Sequence, residues 1–118
     1  MKVLIVDDNK DITDLLSRYL TSKGVETKVT NDPQDGLNKI KEENYDTILL
    51  DISMPEFSGI DIIHTLEREK RLQDQKIVIF SAISFTDSEI HHLLQKEGVE
   101  LCLKKPVKLN NVLTAISS

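Results

Sequence analysis

The sequence predicts an α/β domain: a doubly wound parallel sheet with helices on both faces. Two observations carry that class. Short apolar runs alternate along the 118 residues with stretches whose apolar residues recur every three or four positions, the mark of repeated βα units. Three of the runs, Val3-Leu4-Ile5-Val6, Ile48-Leu49-Leu50 and Ile77-Val78-Ile79-Phe80, are continuously apolar, as strands covered on both faces must be. A third observation says where such a sheet would gather a ligand. Asp7-Asp8 and Asp51 close two of those runs, where buried strands surface.

The elements follow in order. Lys2 to Asp7 is the first strand, and Ile12, Leu15, Leu16, Tyr19 and Leu20 then predict a helix with that stripe buried and Gly24 at C′. The second strand is expected over Val25 to Thr30, where Val25, Thr27 and Val29 alternate with Glu26 and Lys28. Asp32-Pro33 reads as an N-cap and a proline at the first position of the helix carrying Leu37 and Ile40. Asp46 to Asp51 is the third strand. Met54-Pro55 breaks the chain after it, Gly59 relieves crowding at the next helix start, and Ser58 with Asp61 forms a weak capping box before Ile60, Ile63 and Leu66. The fourth strand, Lys76 to Ser81, ends in a hydroxyl. Thr86 and Glu89 form a capping box for the helix of Ile90, Leu93 and Leu94, and Gly98 is expected at its C′ position. The last strand is Val99 to Lys104, in which Val99, Leu101 and Leu103 alternate with Glu100, Cys102 and Lys104; Leu109, Val112, Leu113 and Ile116 mark the final helix.

Alternation in the second and fifth strands assigns them to the sheet edges, and the continuously apolar strands to the middle. Right-handed crossovers and short connections then favour the flavodoxin-like order 2-1-3-4-5. In that order the first and third strands are neighbours, so Asp7, Asp8 and Asp51 converge.

Length and composition fit one domain over residues 1–118. No apolar stretch approaches the roughly 18 residues of a membrane span, and no targeting segment is visible, so a cytoplasmic location without membrane association is expected. A net charge of −5 argues against nucleic-acid binding. The lone Cys102 excludes an internal disulfide and a cysteine-based metal site, and His64, His91 and His92 read as surface residues.

Three ionised carboxylates at one place repel, and the cluster is stable only with a bound cation, a nearby ammonium or a raised pKa. Lys105, which follows the fifth strand, can supply the ammonium. Mg²⁺ suits the site because it is held by one or two carboxylates plus water and phosphate oxygens, which leaves a phosphoryl group as the completing ligand. A carboxylate can attack phosphorus and form an acyl phosphate. Asp51, alone at a central strand end, is the candidate nucleophile. Asp7 and Asp8 are candidates for the metal, Lys105 for pairing with the anion, and Ser81 for a hydrogen bond to a phosphoryl oxygen.

The acid pair Asp7-Asp8, the segment Asp51-Ile52-Ser53-Met54-Pro55 with Gly59, Ser81-Ala82 and Lys105-Pro106 together resemble the receiver domain of two-component response regulators, over essentially the whole chain. The resemblance implies a phospho-acceptor signalling module, not an enzyme beyond its own phosphorylation and dephosphorylation. It implies that Asp51 is phosphorylated from a phosphohistidine on a sensor histidine kinase or histidine phosphotransfer protein. Mg²⁺ would be bound by Asp7, Asp8, Asp51 and the backbone carbonyl of Ser53. Ser81 would be the switch hydroxyl, Lys105 the ion-pair partner, and the Lys105-Pro106 bond cis. The downstream target is a protein the sequence does not name, and by the same resemblance the chain is a monomer or a weak dimer through helix 4, strand 5 and helix 5.

One position departs from the family. Receivers usually carry an aromatic residue three places before the lysine, and here Cys102 stands there. A tyrosine-style rotamer switch is therefore unavailable, leaving either backbone shifts alone or a weak response. Ile83, two after Ser81, borders the approach of water and is expected to slow self-dephosphorylation. Two other functions compete: a pseudo-receiver acting only as a scaffold, and a phosphohydrolase of the haloacid dehalogenase type. The latter needs a second aspartate where Ser53 stands.

Overall fold

The computed structural model describes residues 1–54, 57–81 and 86–117. Pro55, Ala82 and Ile83, singled out above, lie outside the described residues. The elements run β1 (Lys2–Val6), α1 (Lys10–Ser22), β2 (Glu26–Thr30), α2 (Pro33–Glu42), β3 (Thr47–Asp51), α3 (Gly59–Arg68), a 3₁₀ turn (Leu72–Asp74), β4 (Ile77–Ser81), α4 (Asp87–Leu94), β5 (Val99–Lys104) and α5 (Leu109–Ser117). All strand pairs are parallel and the order is β2-β1-β3-β4-β5, as the hydrophobic patterning predicts. Strands β2, β3 and β4 begin one residue later than the sequence suggests, and β1 ends at Val6, so that Asp7 opens the following loop.

The continuously apolar strands feed two cores because alternate side chains point to opposite faces. Leu4, Val6, Ile48, Leu50, Ile77 and Ile79 pack against Leu37 and Ile40 of α2, Ile62, Ile63 and Leu66 of α3, and Ile90 and Leu93 of α4. Val3, Ile5, Leu49, Val78 and Phe80 pack against Leu16 and Leu20 of α1 and Val112, Ala115 and Ile116 of α5. Each fully buried Leu, Ile, Val or Phe stabilises the fold by about 1.5–3 kcal/mol relative to exposure. The same packing makes the sheet a rigid base for the loops at its C-terminal edge.

Three expectations are corrected. Leu15 is not part of the buried stripe of α1: it is 55% exposed, because the helix lies over β1 and β2 along its Leu16–Leu20 side. Gly98 is not the C′ residue of α4, whose C-cap is Gln95; it has φ +101, and a Cβ there would lie 1.9 Å from the Leu72 carbonyl oxygen. Close backbone approach selects glycine there, not helix termination. Finally, β5 does not alternate cleanly. Ile77 pairs with Val99 but Val78 pairs with Leu101, so the ladder slips at Glu100. That irregularity puts Leu101 and Leu103 on the α1/α5 core and Val99 on the other, and it turns Cys102 inward beside the α4 side.

Candidate functional site

Asp7, Asp8 and Asp51 meet at the C-terminal edge of β1 and β3, with one carboxylate oxygen from each lying within 4.8 Å of the others. Asp7 and Asp51 are buried and Asp8 is exposed. The burial follows from the fold: β1 and β3 pair in register from Val3–Thr47 to Val6–Leu50, which delivers the next residue of each strand to the same level. Two backbone amides orient the buried acids. Asn9 N–H donates to Asp7 Oδ1 at 2.9 Å and Ser53 N–H to Asp51 Oδ1 at 2.9 Å. Lys105 Nζ closes the site from the β5 side, donating to Asp7 Oδ2 at 3.0 Å and to Asp51 Oδ2 at 3.1 Å.

Electrostatics follow from that geometry. Burial, with the negative charge of Asp51 adding to it, pushes the Asp7 carboxyl up from 3.8 to about 6, against the Asn9 amide and Lys105, which pull it down. Burial also acts to lower Lys105, but the hydrogen bonds and charges of Asp7 and Asp51 outweigh it and hold the ammonium above its ordinary value. One ammonium thus faces three carboxylates, two of them out of water.

Lys105 is placed by its own backbone. Its N–H donates to the Ser81 carbonyl at 2.9 Å, and the Lys105-Pro106 peptide is cis. Ser81 closes β4 beside Asp51 and is buried, its hydroxyl hydrogen-bonded to Cys102 Sγ at 3.3 Å. The start of α3 is pressed against β3: a Cβ on Gly59 would lie 2.3 Å from the Asp51 carbonyl oxygen. Asp51, Ser53, Ser81, Lys105 and the Asp7-Asp8 pair therefore share one edge of the sheet. His64, His91 and His92 are exposed on α3 and α4.

The family model for the response regulator receiver domain matches residues 3–117. The chain belongs to the response regulator receiver domain family. Receiver domains are signalling modules of two-component systems, not classical enzymes. This receiver is 30% identical to the transcriptional regulatory protein CpxR homolog of Haemophilus influenzae over 99% of the chain, and it spans 49% of that relative's length. Its fold matches the receiver domain of the Francisella response regulator 1452 with a TM-score of 0.86, at 28% identity, covering 98% of this chain and 93% of that one. It also matches, at 23% identity and a TM-score of 0.80, the fold of response regulator TrrA of Thermotoga maritima, solved in complex with Mg(2+)-BeF, covering 98% of this chain and 96% of that one.

Two asparagines that hold the receiver's loops in place escape the sequence reading. Asn9 caps α1, its side chain accepting from the Asp11 and Ile12 amides. An Asn just ahead of a periodic apolar stripe is an ordinary N-cap signal and could have found it. Asn31 donates to the Asp7 carbonyl oxygen at 2.8 Å and to Thr13 Oγ1 at 2.9 Å. Both contacts cross from the β2–α2 loop to distant segments, and no local pattern announces them.

Proposed function

We propose that this receiver accepts a phosphoryl group on Asp51 from a phosphohistidine, in a Mg²⁺-dependent reaction, and so alters its binding to a downstream protein. The observation that carries the proposal is the convergence of three carboxylates with Lys105 bridging the two buried ones. Chemically, an Asp51 oxygen attacks phosphorus, the P–N bond breaks, and its electron pair leaves on the imidazole nitrogen, which takes up a proton.

The donor set fits Mg²⁺: the converging ligand atoms are hard oxygens, and their charge exceeds what Lys105 neutralises. Asp7, Asp8, Asp51 and the Ser53 carbonyl would hold the ion. Bound there, Mg²⁺ supplies positive charge to the oxygens of the transferring group. The Ser53 amide fixes one Asp51 oxygen and leaves the other, on the Lys105 side, as the attacking atom. Lys105 then pairs with the phosphoryl group, and Ser81 turns its hydroxyl to a phosphoryl oxygen.

The donor is a sensor histidine kinase or a histidine phosphotransfer protein. An apolar groove beside Lys105, lined by Ile12, Leu15, Leu16, Pro106, Val107 and Leu109, supports docking of a helical partner at the acceptor. Residues 1–118 form one receiver unit, a monomer or weak dimer, acting in the cytoplasm without nucleic acid. Among the described residues no helix is long and apolar enough to cross a membrane.

Acetyl phosphate with Mg²⁺ tests the proposal by intact mass. One phosphoryl group per chain is expected, lost on chelation of the metal and in Asp51→Ala. A native chain that takes no label would overturn it and leave the scaffold reading.

A further inference from the structure

Ser81 and Cys102 sit two residues apart along the β4–β5 ladder, where Cys102 pairs with Ile79 and Ser81 with Lys104. The slip at Glu100 places the thiol on the same face as the hydroxyl, and the two are hydrogen-bonded at 3.3 Å. Ser81 is 2% exposed, so its hydroxyl cannot turn to bulk water for a partner. Cys102 packs on the core that includes Ile90 and Leu93 of α4.

We propose that Cys102 is a positioning residue: its thiol holds the Ser81 hydroxyl in the resting orientation, and that pair must open for Ser81 to reach a phosphoryl group on Asp51. The inference rests on the reading of Ser81 as the hydroxyl that serves the phosphoryl group. Either atom can be the donor of that pair, and in both cases the buried Ser81 oxygen must leave the thiol to reach a phosphoryl oxygen, so the two compete for the position of the hydroxyl. A thiol is a weak partner, which makes the resting orientation easy to leave. The competition is reciprocal: whatever weakens the Ser81–Cys102 pair strengthens binding of a phosphoryl mimic at Asp51, and the mimic in turn releases Cys102. The release is felt at β5, which carries the thiol, and at α4, whose Ile90 and Leu93 belong to the core it packs on. A cysteine would thus couple the site to that face where the family uses an aromatic side chain.

The test is a beryllofluoride titration in Mg²⁺, with midpoints read from backbone amide shifts, on the native chain and on Cys102→Ala, Cys102→Ser, Ser81→Ala and Ser81→Ala/Cys102→Ala. Cys102→Ala strands the Ser81 hydroxyl in the resting state and is expected to lower the midpoint roughly two- to fivefold, the worth of one weak hydrogen bond. Cys102→Ser keeps a partner and is expected to restore the native midpoint. In the Ser81→Ala background the Cys102→Ala change should have no effect, an outcome that a merely structural role would not produce. An unchanged or higher midpoint in Cys102→Ala, or the same shift with and without the Ser81 oxygen, would overturn the inference alone. A native chain indifferent to beryllofluoride would overturn the phospho-acceptor reading itself, and the inference with it.

Discussion

Lys105 Nζ lies 3.1 Å from Asp51 Oδ2, joining residues 54 positions apart where the buried carboxylates of Asp7 and Asp51 meet. The same nitrogen is 3.0 Å from Asp7 Oδ2, so it is the shared counter-charge of both. Lys105→Met leaves those carboxylates without it. Removing one partner from buried ionic groups costs roughly 3–5 kcal/mol, and partial exposure of Lys105 brings the expected loss below that range, to about 2–3 kcal/mol. Urea unfolding without divalent ion should show that loss, and added Mg²⁺ should recover part of it. A variant as stable as the native chain in chelator would contradict the pairing.

Asp7 makes metal-free stability depend on pH. Its folded value of about 6 lies above the ordinary 3.8, so between those values the folded chain holds more protons than the unfolded one. Stability from this group therefore falls as pH rises through that window and stays lower above it. Asp7→Asn removes the effect, and we expect it to raise metal-free stability at neutral pH by about 1–2 kcal/mol while flattening the slope between the two values. It should also abolish stabilisation by Mg²⁺. Urea midpoints taken on both sides of the window check the sign, and a variant less stable than the native chain at pH 7 would contradict it.

Gly59 holds the start of α3 against β3. A methyl group there would meet the Asp51 carbonyl oxygen at 2.3 Å and the Ile52 Cα at 2.9 Å, both backbone atoms that cannot swing aside. Gly59→Ala is expected to cost roughly 1–3 kcal/mol, as overpacking does, and to slow labelling by acetyl phosphate by displacing Asp51. Denaturation and labelling rates on one preparation separate the two effects.

Asn31 fixes the loop that carries Asp7 and Asp8. Asn31→Ala takes one donor from the Asp7 carbonyl and one from the buried Thr13 hydroxyl, which still donates to the Lys10 carbonyl, and we expect a loss of about 1 kcal/mol together with weaker Mg²⁺ binding by calorimetry. Unchanged metal affinity would show that the loop holds its shape without this contact.

Much of this architecture was legible in the residues themselves. Val3 to Val6 and Ile77 to Phe80 announce buried strands because a parallel sheet under two helical layers leaves no polar position, and strand order then follows from which runs alternate. The convergence of Asp7 and Asp51 is a consequence of that order, so it too could be read. What stayed hidden depends on register and tertiary approach. The slip at Glu100 exists only as a relation between two strands, and without it Cys102 would not face Ser81. Leu15 fits the helical stripe by spacing, yet it lines the open groove beside Lys105 and Pro106 and is exposed. Gly98 is selected by the Leu72 carbonyl, a neighbour that no local pattern predicts.

Chemical trapping of the modified residue tests most directly the claim that the β1 and β3 tips together make Asp51 a phosphoryl acceptor. The native chain would be labelled with acetyl phosphate and Mg²⁺, reduced with borohydride, digested and mapped by mass. The expected result is a single homoserine at position 51 that is absent when Mg²⁺ is chelated. Reduction at another carboxylate, or equal reduction at position 51 without the metal, would contradict it.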